Sequence, residues 1–137
     1  MPAFRSTFPR AALALALLAA AQLACGSGND RGLDGNGGAD PNVVADDGVV
    51  AVDARITGFT LSAGSAPAGE VTFNVENVDV LPHDFTFTGE GVDDQTARLD
   101  PGDTAALALD LEPGTYTFYC SVEGHREAGM TGTFTVK

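Results

Sequence analysis

From about residue 48 to the end, the chain alternates apolar and polar side chains with a period of two. "EVTFNVEN" (70–77) sets Val71, Phe73 and Val75 against Glu70, Thr72, Asn74 and Glu76. Successive side chains of a strand point to opposite faces, so this pattern fits a half-buried strand and no helix. The same pattern places Phe85 and Phe87 on one face of "DFTFT" (84–88). In "TAALALDL" (104–111) it pairs Ala105, Leu107 and Leu109. "GTYTFYC" (114–120) groups Tyr116, Phe118 and Cys120, and "GTFTVK" (132–137) groups Phe134 and Val136. Turn residues punctuate these runs: Ala-Pro-Ala-Gly at 66–69, Asp-Pro-Gly-Asp at 100–103 and Glu-Pro-Gly at 112–114. "GVVAVDARITGFTLSAG" (48–64) supplies one or two more strands, whereas the Asp-rich stretch 90–94 reads as a loop or short helical turn. The expectation is an all-β fold, an antiparallel Greek-key β-sandwich of seven or eight strands. A core closed by about ninety residues is small, and a metal cross-link would reinforce it.

The chain before residue 48 has a different character. Arg5 and Arg10 precede "AALALALLAAAQLA" (11–24), an apolar run of signal-peptide length that is short for a membrane span. Residues 1–24 are therefore read as a secretion signal. "LAC" (23–25) ends that run like a bacterial lipobox, which makes Cys25 the expected lipid attachment site, although Gln22 stands where an aliphatic residue is usual. Cleavage after Ala21 is the alternative, leaving Cys25 as a stray thiol or a disulfide partner of Cys120. Residues 25–47 are dense in Gly, Asp and Asn and read as a tether, with the folded domain at 48–137. "DGNGG" opens like a calcium loop, but the twelfth position from Asp34 is Ala45 rather than a glutamate. The expected location is the periplasm or the outer face of the cell membrane, held there by the N-terminal lipid.

Within the folded part, "YCSVEGHREAGM" (119–130) sets Cys120, His125 and Met130 at five-residue steps. "VLPHDF" (80–85) offers His83 at a junction between strands. Taken singly, each has an ordinary role: Cys120 a buried thiol, His83 a loop residue, His125 a surface residue, Met130 core filling. Together, a thiolate, two imidazoles and a thioether at one end of a sandwich select copper, whereas structural zinc sites rarely use methionine.

These residues, with "VENVDVLPHDF" and "GTYTFYCSVEGHREAGMTGTFTV" around them, resemble the cupredoxins, in particular the plastocyanin-like small blue-copper proteins. The resemblance covers about residues 48–137. It implies one type 1 copper ion, cycling between Cu(I) and Cu(II), with His83, Cys120, His125 and Met130 as ligands. It also implies a hydrogen bond from the backbone N–H of Asp84 to the Cys120 sulfur. Glu123 departs from the proline common in that loop, and Asp84 from an asparagine.

Other chemistries lack their residues. A dinuclear copper site needs a second cysteine in the loop, and position 124 is Gly; catalytic copper centres need more than the two histidines here. Using either histidine in a hydrolytic triad would dismantle the metal set. The formal charge is −12, and removing Arg5 and Arg10 with the leader makes it more negative still. Nucleic acid is therefore not an expected partner. The expected function is one-electron transfer by a monomer rather than an enzyme. The expected partners are a redox donor and acceptor protein with a basic docking surface. Copper sequestration or delivery is the alternative. Electrons are expected to leave through His125, rimmed by Ala128, Gly129, Leu81 and Pro82.

Overall fold

The computed structural model describes residues 38–137. The leader, Cys25 and the tether as far as residue 37 lie outside the described residues. Nine strands follow in order: β1 (Val49–Arg55), β2 (Gly58–Leu61), β3 (Ser65–Ala66), β4 (Gly69–Asn77), β5 (Thr86–Gly89), β6 (Val92–Gln95), β7 (Thr104–Leu111), β8 (Gly114–Tyr119) and β9 (Thr131–Val136). They form a four-stranded sheet in the order β2-β1-β4-β7 and a five-stranded sheet in the order β3-β9-β8-β5-β6. Among the described residues no helix is long and apolar enough to cross a membrane.

The sandwich agrees with the alternation, but two details correct the expectation of seven or eight antiparallel strands. The count is nine, and both sheets are mixed: β1 pairs parallel with β4, and β3 parallel with β9. Parallel neighbours need a crossover between them. Here the chain leaves β1 and β2 in one sheet, contributes β3 to the other, and returns as β4.

The Asp-rich stretch is the second correction. Residues 92–95 are not a loop or helical turn but strand β6, paired antiparallel with β5 from Thr86↔Gln95 to Gly89↔Val92. The two-residue turn between them is Glu90–Gly91, with φ of 46° and 85°. Positive φ at both central positions is the turn geometry whose twist matches a tight hairpin. As an edge strand β6 pairs on one side only, so its carboxylates stay in water and guard the edge.

The two inner faces meet in an aromatic core. Phe73 of β4 lies 4.7 Å from Phe87 and 5.2 Å from Phe134, ring centre to ring centre, and so joins the sheets. Phe118 packs against Phe85 at 5.5 Å and Phe59 at 5.8 Å. Across β8 and β9, Phe118 faces Gly132. A Cβ at 132 would run into the Phe118 ring, so the absent side chain is what lets that ring lie flat. Tyr116 is fully buried apart from its need for a partner, which its hydroxyl meets by donating to the Glu112 carbonyl (2.8 Å). Packing also begins before residue 48: Val44 bridges Ser65 and Ala45 is buried in the core.

Candidate metal centre

β8 carries the inward set Tyr116, Phe118 and, one step past the strand, Cys120, which is buried as a free thiol. The alternation that buries the two rings therefore also aims the sulfur inward. The following loop is a chain of tight turns. His125 N–H donates to the Val122 carbonyl (3.0 Å) and Met130 N–H to the His125 carbonyl (3.0 Å), while Cys120 N–H donates to the Met130 carbonyl (3.0 Å). Gly124 and Gly129 sit in this loop at φ of 80° and 112°, where a side chain would be strained.

His83 enters from the other side. Pro82 precedes it, and His83 exchanges two backbone hydrogen bonds with Leu99, N–H to carbonyl at 3.1 Å and 2.7 Å. Its ring is fully buried. The fold thus brings His83, Cys120 and His125 together, one ligand atom from each lying within 4.8 Å of the others. His83 Nδ1 and His125 Nδ1 are 3.1 Å apart, and Cys120 Sγ is 3.6 Å from His125 Nδ1. Ligand atoms about 2.0–2.3 Å from one ion stand about 3.5–4 Å apart in a trigonal set, so the cluster has the right size for one ion. One sulfur and two imidazole nitrogens in a buried trigonal array suit copper. The Met130 side chain is fully buried, and its backbone is tied to both Cys120 and His125.

Electrostatics favour neutral donors. Burial pushes the Cys120 thiol up, opposed by the backbone N–H groups of Asp84 and Val122 acting on its sulfur. The Asp84 amide was expected from the resemblance; that of Val122 was not. Burial pushes the His125 imidazolium down, with His83 and Arg98 acting in the same direction. A neutral imidazole is the form that binds a metal.

Around these donors lies a shell that sequence reasoning missed. The buried Asp84 accepts from Ser121 N–H and Ser121 Oγ, both at 2.6 Å, and so clamps the residue after Cys120. Buried Asn77 donates to the carbonyls of Leu81 (2.7 Å) and Leu99 (2.9 Å) and accepts from Asp79 N–H (2.9 Å), fixing the loop before His83. Asp79 Oδ2 lies 3.3 Å from His83 Nε2. The N–H of Ile56, then that of Val80, with His83 adding to both, hold the Asp79 carboxyl below the ordinary carboxylate range. Asn77 and Asp79 carried only a weak signal, as polar residues closing an alternating strand four to six positions before a histidine. Arg126 stacks over the Tyr119 ring at 4.3 Å, bracing the loop against β8.

Comparison with known proteins agrees with this geometry. A family model described as a cupredoxin-like domain matches residues 11–136. Plastocyanin from Mercurialis perennis is 39% identical over 84 residues, which is 53% of this chain and 80% of that protein. Plastocyanin from Sambucus nigra is 38% identical over 90 residues, covering 57% and 86%. Among solved structures, reduced auracyanin from the photosynthetic bacterium Roseiflexus castenholzii aligns with a TM-score of 0.56 at 17% identity, over 72% of this chain and 99% of that one. Auracyanin B gives 0.55 at 24% identity, over 74% and 96%. The chain belongs to the cupredoxin-like family, with one copper ion as its cofactor and His83, Cys120 and His125 gathered as a candidate ligand set.

Proposed function

We propose that the protein is a one-electron carrier of the blue-copper type, with His83, Cys120, His125 and Met130 as ligands of a mononuclear site. Copper bound there supplies the Cu(I)/Cu(II) couple. The chain's own part is to hold the donors still and dry. The observation that carries the reading is the gathering of His83 Nδ1, His125 Nδ1 and Cys120 Sγ at one point of the fold. The Leu99 bridge, the Asp84–Ser121 clamp and the loop turns hold these side chains in place, so a bound ion could change charge with little movement of its donors. Burial of His83, Cys120 and Met130 excludes water from the inner side.

His125, partly exposed, offers the way out. Leu81 and Val80 beside the His83 loop are exposed at 43% and 83%, an apolar rim on which a redox partner can close. The acidic surface elsewhere would steer a basic donor or acceptor. We further read the chain as exported behind a signal at 1–24 and held by a lipid on Cys25 through the Gly/Asp-rich tether that precedes the packed residues Val44 and Ala45. An unmodified mature N-terminus at Gln22, found by mass spectrometry, would refute the anchor.

The test of function is optical. The copper-loaded protein is expected to show an intense visible thiolate-to-copper absorption that Cys120→Ser removes. Bound copper without that absorption in the unaltered chain would sink the blue-copper assignment.

A further inference from the structure

Asp79 is an odd residue to find where it is. Its side chain is only 14% exposed, yet no lysine or arginine pairs with it among the described residues. Burying a carboxylate is costly unless its oxygens are hydrogen-bonded. Three donors meet that need. Ile56 N–H, in the turn between β1 and β2, donates to Oδ2 at 2.5 Å, and Val80 N–H to Oδ1 at 2.6 Å. The third partner is the imidazole of His83, Nε2 to Oδ2 at 3.3 Å.

A carboxylate can only accept, so the proton of a neutral His83 belongs on Nε2. That leaves Nδ1 as a lone-pair donor, and Nδ1 is the atom that faces His125 Nδ1 and the metal cluster. The tautomer needed by a ligand is thus set from behind, by a group that is itself bolted to a different part of the chain 23 residues earlier.

We propose that Asp79 is the positioning residue of the metal centre: it fixes the tautomer and ring orientation of His83 and, through its negative charge, stabilises the cupric over the cuprous state. The proposal rests on the copper reading above. A carboxylate behind a ligand imidazole raises the basicity of that ligand. The oxidised ion carries one more positive charge, so the fixed anion favours it, and removal of the anion must raise the reduction potential.

The experiment has two arms. In the metal-free protein, nitrogen-15 NMR should find the His83 proton on Nε2 and slow to exchange, and Asp79→Ala should lose that protection. A proton on Nδ1 in the unaltered chain would overturn the proposal, whether or not the protein ever binds copper. In the copper-loaded protein, Asp79→Asn keeps an acceptor oxygen but drops the charge. It should weaken Cu(II) relative to Cu(I) by at least about tenfold, a rise of about 59 mV for a one-electron couple, with copper stoichiometry intact. Asp79→Glu, which keeps the charge, should move the potential less. A purely structural role would lower melting temperatures and leave the potential alone. A change of under about twofold in Asp79→Asn therefore rejects the electrostatic role. An unaltered chain that took up no copper would defeat the copper reading, and the metal-free arm would still decide the hydrogen bond.

Discussion

Cys120 and Met130 are joined at the backbone, Cys120 N–H to Met130 carbonyl at 3.0 Å, so the loop between them is closed at its base and the two sulfur-bearing side chains share one anchor. The bond continues the β8–β9 ladder, whose last registered pair is Tyr119↔Thr131. The ligand loop is in effect an overgrown hairpin turn.

That anchor separates the roles of the two sulfurs. Met130→Leu is close to volume-conserving in a fully buried position, so it should cost under about 1.5 kcal/mol of stability. Copper and colour should persist while the reduction potential rises, since the weak thioether donor proposed at Met130 would be lost. Voltammetry and thermal melts check both halves, and an unchanged potential would remove Met130 from the ligand set.

The raised Cys120 thiol makes the metal-free protein sensitive to alkali. Its folded-state value lies above the unfolded one, mainly through burial. The stability this contributes is fully present below the unfolded thiol value of about 8.5 and is lost as pH rises through the folded value. Denaturation of the apoprotein should show a decline across that window that Cys120→Ala flattens. Copper uptake at neutral pH should release about one proton from this thiol.

Leu81→Glu and Ala128→Glu test the apolar rim. Each should slow electron transfer by about tenfold, equivalent to about 1.4 kcal/mol, with copper retained, and should do so at high salt as well. Raising ionic strength should slow association of the unaltered protein with a basic partner, because exposed charges are screened over about 10 Å at 0.1 M. Stopped-flow rates untouched by either substitution would move the exit elsewhere, to His83 or through Tyr119.

Gly132→Ala is the test of the core. The new Cβ would meet the Phe118 ring, two residues before Cys120, so overpacking of about 1–3 kcal/mol is expected. A broadened or shifted copper absorption should accompany the lower melting temperature, since the displaced ring shares a strand face with the thiol.

Much of this was legible in the residues because burial follows alternation. Val71, Phe73 and Val75 are buried as their spacing requires, and β7 spans 104–111 as read from the sequence. What escaped notice has physical reasons. Strand β3 is two residues long, too short for any period to register. Strand β6 is polar because an edge in water needs no apolar face. The candidate donors His83, Cys120 and His125 announced themselves by residue type, whereas Asn77 and Asp79 act through the backbone groups and ring nitrogen they happen to meet, which only the fold decides.

The parallel pairing of β3 with β9 bears on the order of events during folding. β9 comes after every other strand, yet it lies inside the five-stranded sheet, between β3 and β8. Ser65 and Ala66 must therefore wait for Thr135 and Val136, about seventy residues later, before that side of the sheet can close. Such long-range closure is slow, because loop entropy is spent before contacts repay it. Cys120, His125 and Met130 all precede this strand directly, so the candidate metal cradle is completed among the last steps, and a chain whose final strand is not yet in place has no finished place to put an ion.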